Sequence, residues 1–228
     1  MRDGRVHSTT EGVPQGGGVF PLLSNILLTP FDREMRERGY RLTRYADDWA
    51  LTCRNRQEAE QAFAEAKKVL RSLGVTLNER KTRIVHISRG FEFLGYKLKR
   101  GSRPLRLSPE QIRSGTRPGS LYVYPTDRAI ERFKDQVRKR TRRKAPLSTH
   151  QLVAELNPII RGWGAYYREA HVRGLFNRLN QWIVRRLWSH RYKRWRCRGY
   201  RTLPERHLYG QMGLVSLVSL IPFLSPRR

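Results

Sequence analysis

Cysteine is almost missing from this chain: only Cys53 and Cys197 occur in 228 residues. Two distant thiols without CxxC spacing leave no disulfide framework and no zinc module, and they point to a reducing compartment. Long apolar runs are also missing. The most apolar stretch, Leu214 to Leu224, is interrupted by Ser216, Ser219 and Pro222. It falls far short of the ~20 residues that a membrane helix needs, and it reads as a buried terminal segment. Met1-Arg2-Asp3-Gly4 does not open an apolar leader, so no signal peptide and no membrane association are expected. Acidic side chains are the third scarcity, with 19 Asp+Glu against 47 Lys+Arg and a formal net charge of +28. That balance excludes an acidic disordered tail and fits an ordinary near-neutral metabolic enzyme poorly. Hydrophobic residues at 38% and five Trp are enough for a core. A field this positive concentrates polyanions, of which nucleic acid is the commonest.

The charge is uneven. Residues 1–100 hold 19 basic and 12 acidic side chains, a net of +7, whereas residues 128–206 hold 22 and 5, a net of +17. Between them, Gly101 to Pro125 is rich in Gly, Pro, Ser and Arg and reads as a linker over 101–125. The first region mixes periodicities. Pro21 to Leu28 enters a helix that continues through Phe31 and Met35. Arg41 to Thr52 alternates as a hairpin with Asp47-Asp48 at its tip. Gln57 to Leu73 has apolar residues at the helical period and ends at Gly74. Val75 to Leu77, Thr82 to Ile87 and Phe91 to Leu98 read as short strands. Strands around one long helix predict an α+β sheet domain over 1–100.

The region 126–206 is helical. Thr126 caps a helix reaching Arg143, and Ser148/Thr149 opens another whose Pro158 predicts a break and a new start. Gly174 precedes a third helix, where Leu175, Leu179, Trp182, Ile183 and Leu187 repeat on one face. These stripes, with Trp163 and Trp182, predict the core of a small bundle. Residues 207–228 form a terminal tail. Basic residues crowd the outer faces: Arg138, Lys139, Arg140, Arg142 and Arg143 at the end of the first helix, then Arg185, Arg186 and Arg191 on the third. Lys193, Arg194 and Arg196 follow. Trp188 and Trp195 lie within this Arg-rich sequence and are candidates to stack on RNA bases while the cations meet phosphates.

Adjacent carboxylates in a basic chain repel one another and cost least where a divalent cation neutralises them. Tyr45-Ala46-Asp47-Asp48 matches the YxDD box of reverse transcriptases. Upstream lie Gly12-Val13-Pro14-Gln15-Gly16-Gly17 and Pro21-Leu22-Leu23-Ser24-Asn25-Ile26. Downstream come Leu77-Asn78-Glu79-Arg80-Lys81-Thr82 and Phe93-Leu94-Gly95-Tyr96. In this order the boxes resemble the palm of a group II intron reverse transcriptase/maturase. Leu156-Asn157-Pro158-Ile159-Ile160-Arg161-Gly162-Trp163 and Tyr166-Tyr167-Arg168 resemble that family's thumb, or domain X.

The resemblance implies a partial right-hand polymerase palm followed by an all-α thumb. Asp47 and Asp48 would be ligands of a two-Mg²⁺ site, and Tyr45 and Ala46 would line the deoxynucleoside triphosphate and the primer end. Pro14, Gln15, Gly16 and Gly17 would back the nascent base pair. Lys81 would be a proton donor to pyrophosphate, or else a solvated charge. Phe93, Leu94, Gly95 and Tyr96 would be the primer grip, or else core strand residues. The implied partners are group II intron RNA, an RNA template and a DNA primer, in a bacterial cytoplasm or an organelle matrix. Two departures stand out. Gly18-Val19-Phe20 intervenes before Pro21, and the family's fingers and its other metal-binding aspartate have no counterpart. The expectation is therefore an N-terminally truncated or split enzyme, the latter with a separate fingers-containing chain. Such a chain would be inactive in polymerisation alone. A non-catalytic RNA-binding splicing factor is the alternative.

Overall fold

The computed structural model describes residues 19–78, 80–101, 121–192 and 202–222. The chain divides into two compact units, Met1–Val85 and His86–Arg228. The division falls earlier than the expected limit at residue 100, so the Phe91–Tyr96 box belongs to the second unit.

In the first unit, helix α1 (Phe20–Glu37) precedes an antiparallel hairpin, β1 (Arg41–Tyr45) and β2 (Asp48–Thr52), and then helix α2 (Arg56–Ser72). Leu28, Phe31 and Met35 recur on one face of α1, and Ala62, Ala66, Val69 and Leu70 on one face of α2. Leu42 of β1 is buried among these stripes, and Trp49 of β2 meets Phe31 edge-on at 5.6 Å. Asn55 caps α2 by accepting the Glu58 N–H at 2.8 Å, while Glu58 accepts the Arg54 N–H at 2.6 Å. The expected helix–hairpin–helix order holds. The strands expected at Val75–Leu77 and Thr82–Ile87 do not form. Val75 and Leu77 instead close one edge of the core as loop residues.

The second unit opens on a three-stranded antiparallel sheet ordered β3 (Phe91–Phe93), β4 (Tyr96–Arg100), β5 (Leu121–Pro125). The single strand expected over Phe91–Leu98 is therefore two. Leu94 and Gly95 both adopt positive φ (49° and 76°), as the two central residues of a hairpin turn matched to strand twist require. β5 lies in the stretch expected as linker.

Helices α3 (Asp127–Arg140), α4 (Thr149–Tyr167) and α5 (Arg173–Tyr192) follow, then the short α6 (Glu205–Gly210) and a 3₁₀ turn, Val218–Leu220. Thr126 caps α3, and Ser148 with Gln151 forms a capping box on α4. Helix α4 runs unbroken through Pro158, against the expected break. Leu152, Leu156, Ile160 and Tyr167 bury the same stripe on both sides of the proline. Pro158 and Ala154, whose carbonyl loses its donor, both lie on the exposed side. Gly174 sits inside the first turn of α5 rather than before it.

The expected bundle core forms: Phe133, Val137, Leu156, Ile160, Phe176, Ile183 and Leu187 are buried together, with Trp163 and Trp182 packed against them. The terminal apolar segment is also internal, through Leu214 and Leu217. It lies on α4 at Gly164, where an added Cβ would come within 2.5 Å of a Leu220 methyl and 2.9 Å of a Leu217 methyl. Among the described residues, no helix is long and apolar enough to cross a membrane.

Candidate functional site

The hairpin delivers the acidic pair to a two-residue turn. Tyr45 pairs with Asp48 across the strand ends, and Ala46-Asp47 forms the tip, with Ala46 at φ +53°. A non-glycine residue in this region is strained and persists only where its surroundings fix it. Arg44 does so here. Its Nη1 donates to the Ala46 carbonyl at 2.8 Å and to Asn25 Oδ1 at 3.0 Å. Its Nε and Nη2 make a fork onto Asp32, both at 2.7 Å. The side chains are only 8% and 17% exposed, so this is a largely desolvated charge-assisted pair. The bond to Asp32 raises Arg44 above its ordinary range despite burial.

Asp47 and Asp48 are both exposed at this anchored tip, and neither carboxylate has a hydrogen bond or ion pair among the described residues. Tyr45 beside them is 69% exposed. Two unpartnered carboxylates on one tight turn are hard oxygen donors suited to Mg²⁺. The fit is incomplete. Among the described residues no three His, Cys, Asp or Glu side chains gather as a metal site, and Asp32 is committed to Arg44. Lys81 is exposed on a turn whose N–H groups bond Asn78: Lys81 N reaches the Asn78 carbonyl at 3.1 Å, and Arg80 N reaches its Oδ1 at 3.1 Å. Pro14, Gln15, Gly16 and Gly17 lie outside the described residues, as do Lys193, Arg194, Trp195 and Arg196.

In the second unit, the Phe93–Tyr96 turn is tied to helix α4. The Tyr166 hydroxyl donates to the Leu94 carbonyl at 2.8 Å, the Tyr167 hydroxyl to Gly95 O at 3.3 Å, and the Tyr96 hydroxyl to the Tyr166 carbonyl. The Tyr96 ring stacks on Tyr166 at 5.2 Å and meets Tyr167 edge-on at 4.9 Å. Burial in this cluster, with Tyr166 and Tyr167 adding to it, pushes the Tyr96 phenol up to about 12. Phe93 is half-buried.

The basic residues of the helices separate into two kinds. Lys139, Arg142 and Arg185 are exposed with no ion pair among the described residues. Arg138 is exposed but paired, to Asp135 at 2.7 Å and Glu131 at 3.2 Å, and it lies over the Trp182 ring. Arg140 bonds Gln136, Arg143 bonds Ser189, and Arg191 reaches Thr149. Two expected RNA contacts also have structural work. Arg186 is half-buried and holds the end of α3, donating to Thr141 Oγ1 at 2.9 Å and to the Thr141 carbonyl at 3.0 Å. Trp188 packs against the bundle, and its indole N–H is taken by the Leu203 carbonyl at 2.9 Å.

Sequence reasoning missed the Arg44–Asp32–Asn25 clamp and the use of Asn157 and Asn180 as amide brackets for the terminal segment. Asn157 bonds Gly213 O and Val215 N at 3.0 and 2.9 Å; Asn180 bonds Ser216 Oγ and Leu217 N at 2.8 and 3.0 Å. Adjacency to Asp47-Asp48 was the one available signal for Arg44.

Comparison with known proteins divides the chain later than the two compact units do, beyond the Phe93–Tyr96 box. Residues 1–98 match the model of the family described as reverse transcriptase (RNA-dependent DNA polymerase). Residues 130–208 match that of the group II intron, maturase-specific domain. Protein YkfC of Escherichia coli (strain K12) is 33% identical, over 42% of this chain and 35% of that protein. The chain thus spans about a third of the length of this curated relative. Two family matches in this order, the first over the acidic turn and the second over the basic helices, lead to one assignment: the chain belongs to the group II intron reverse transcriptase/maturase family.

Proposed function

We propose that this chain takes part in RNA-directed DNA synthesis and in binding a group II intron RNA so as to promote its splicing. The observation that carries the reading is the free Asp47-Asp48 pair on a clamped turn, in the same chain as a helical region of net charge +17 over residues 128–206. Mg²⁺ held there would stabilise the charge that develops on the transferred phosphoryl oxygens. Asp47 and Asp48 would supply carboxylate oxygens, and Arg44 would keep their turn from relaxing. Tyr45 would offer its ring beside the nucleotide or primer end, and Pro14, Gln15, Gly16 and Gly17 would support the base pair. Lys81 would neutralise and protonate the leaving pyrophosphate. Phe93, Leu94, Gly95 and Tyr96 would hold the primer strand. Lys139, Arg142 and Arg185 would lead the contacts to RNA phosphates, joined by Lys193, Arg194, Trp195 and Arg196. Arg138, Arg140, Arg143 and Arg191 would contribute their field around bonds they already make. A separate chain carrying further carboxylates is a compatible partner.

Primer extension on an RNA template tests the reading. With two free carboxylates at the turn among the described residues, the chain alone should extend poorly; robust incorporation abolished by Asp47→Ala would show that those two suffice. That same two-ligand set favours a second reading, a splicing factor that binds intron RNA without polymerising. It predicts that Asp47→Asn leaves splicing promotion intact.

A further inference from the structure

The three-stranded sheet of the second unit has two unlike faces. Strand alternation puts Phe93, Tyr96, Leu98, Val123 and Pro125 on one, and Tyr96 packs there against the helical core. The opposite face carries Lys97 and Lys99 of β4 directly across from Tyr124 and Tyr122 of β5. Lys97, Lys99 and Tyr124 are exposed, Tyr124 at 40%. Glu92, opposite Lys97 on β3, is the one carboxylate of this face among the described residues.

The aromatic pair is fixed in place. The Tyr122 and Tyr124 rings are nearly parallel, 10° apart with centroids at 6.1 Å. His171, from the loop between α4 and α5, contacts both rings at 5.2 and 6.0 Å. That loop is bonded to β5 twice: the Val123 N–H donates to His171 Nδ1 at 3.2 Å, and the His171 N–H donates to Val123 O at 2.9 Å. The first bond makes Nδ1 an acceptor and so leaves the ring proton on Nε2. Tyr122 also lies against Gly101, where an added Cβ would come within 2.6 Å of the ring atom Cε2. Rings with little freedom left to lose, alternating with lysines, suit a ligand that presents flat faces and regular negative charge together.

We propose that this sheet face is a stacking platform for a single-stranded polynucleotide, with bases on Tyr124 and Tyr122 and backbone phosphates on Lys97 and Lys99. Unpaired bases stack on aromatic rings of an open sheet regardless of sequence, whereas a duplex hides its base faces. The site is distinct from the basic helix surfaces and does not depend on what they bind.

The test is fluorescence anisotropy of the full chain with a labelled unstructured RNA dodecamer, the same strand as DNA, and an RNA hairpin. Circular dichroism checks the fold of each variant. Tyr124→Leu should weaken both single strands about tenfold and spare the hairpin, while Tyr124→Phe, which keeps the ring, should bind like the parent. Replacing Lys97 and Lys99 together by Gln should lower the salt slope on single strands by about 1.4. Lys139→Gln with Arg185→Gln should weaken the hairpin more than the single strands, the reverse of Tyr124→Leu, so the proposed intron-RNA reading can fail without touching this one. Unchanged single-strand affinity in Tyr124→Leu, or a loss confined to the hairpin, would overturn the platform.

Discussion

Arg44 has a different task from most of the 47 basic residues of this chain. Its guanidinium bonds Asp32, Asn25 and the Ala46 carbonyl at once, holding the turn that carries Asp47 and Asp48. Arg44→Leu leaves Asp32 and the Ala46 carbonyl without their donor, so urea denaturation should show a loss of about 3 kcal/mol. Adding Asp32→Leu should recover much of it; a double variant as unstable as the single would show that the pair is not the source. Gly95 is held as closely: it sits at φ +76°, and an added Cβ would come within 2.8 Å of the Tyr167 hydroxyl. Gly95→Ala should cost about 2 kcal/mol, part of it restored by Tyr167→Phe, which removes the oxygen but not the backbone strain. Tyr96 makes the same cluster sensitive to pH. Its folded value of about 12 lies above the ordinary 10, so the folded state favours the neutral phenol. The stabilisation is therefore complete below pH 10 and is lost as pH rises towards 12. The melting temperature should fall across that window, and less steeply in Tyr96→Phe. The acidic pair was legible as a sequence feature because it interrupts an alternating hairpin. Its clamp was not, because Asp32 meets Arg44 only after α1 has packed on the hairpin.

Helices were the most legible elements, because burial repeats along them. Ala62, Ala66 and Val69 on α2, and Leu179, Ile183 and Leu187 on α5, announce their buried faces by spacing alone. Strands were less so. Val75–Leu77 and Thr82–Ile87 have strand-like composition, but a strand forms only beside a partner, and none pairs with them among the described residues. The Phe91–Leu98 run concealed a turn because Leu94 shares the positive φ with Gly95, and leucine is no turn signal. Pro158 misled in the opposite direction. A proline removes one helix bond, yet the stripe from Leu152 to Tyr167 keeps α4 in register past it. With Pro158 on the exposed side there is no packing to lose, so Pro158→Ala should stabilise by about 1–3 kcal/mol in thermal or urea unfolding. A destabilised variant would mean that the ring packs in a way its exposure hides.

At the scale of the whole molecule, charge and family agree on a polyanion, and the two units present different groups. The first, which lies within the residues 1–98 that match the reverse transcriptase model, presents carboxylates on a clamped turn; the second, which contains the residues 130–208 that match the maturase-specific domain, presents cations on a packed bundle. The sum of +28 was legible at once, but which cations are free was not. Arg186 and Trp188 read as RNA contacts by composition, yet one closes α3 against α5 and the other bonds Leu203. The proposed grip of the exposed cations on the phosphates of structured RNA would show most directly in a salt titration. Affinity of the chain for a folded group II intron RNA should fall with log–log slope of about −5 or steeper, and Lys139→Gln with Arg185→Gln should make the slope shallower by about 1–2. Weak affinity that does not change with salt would contradict it.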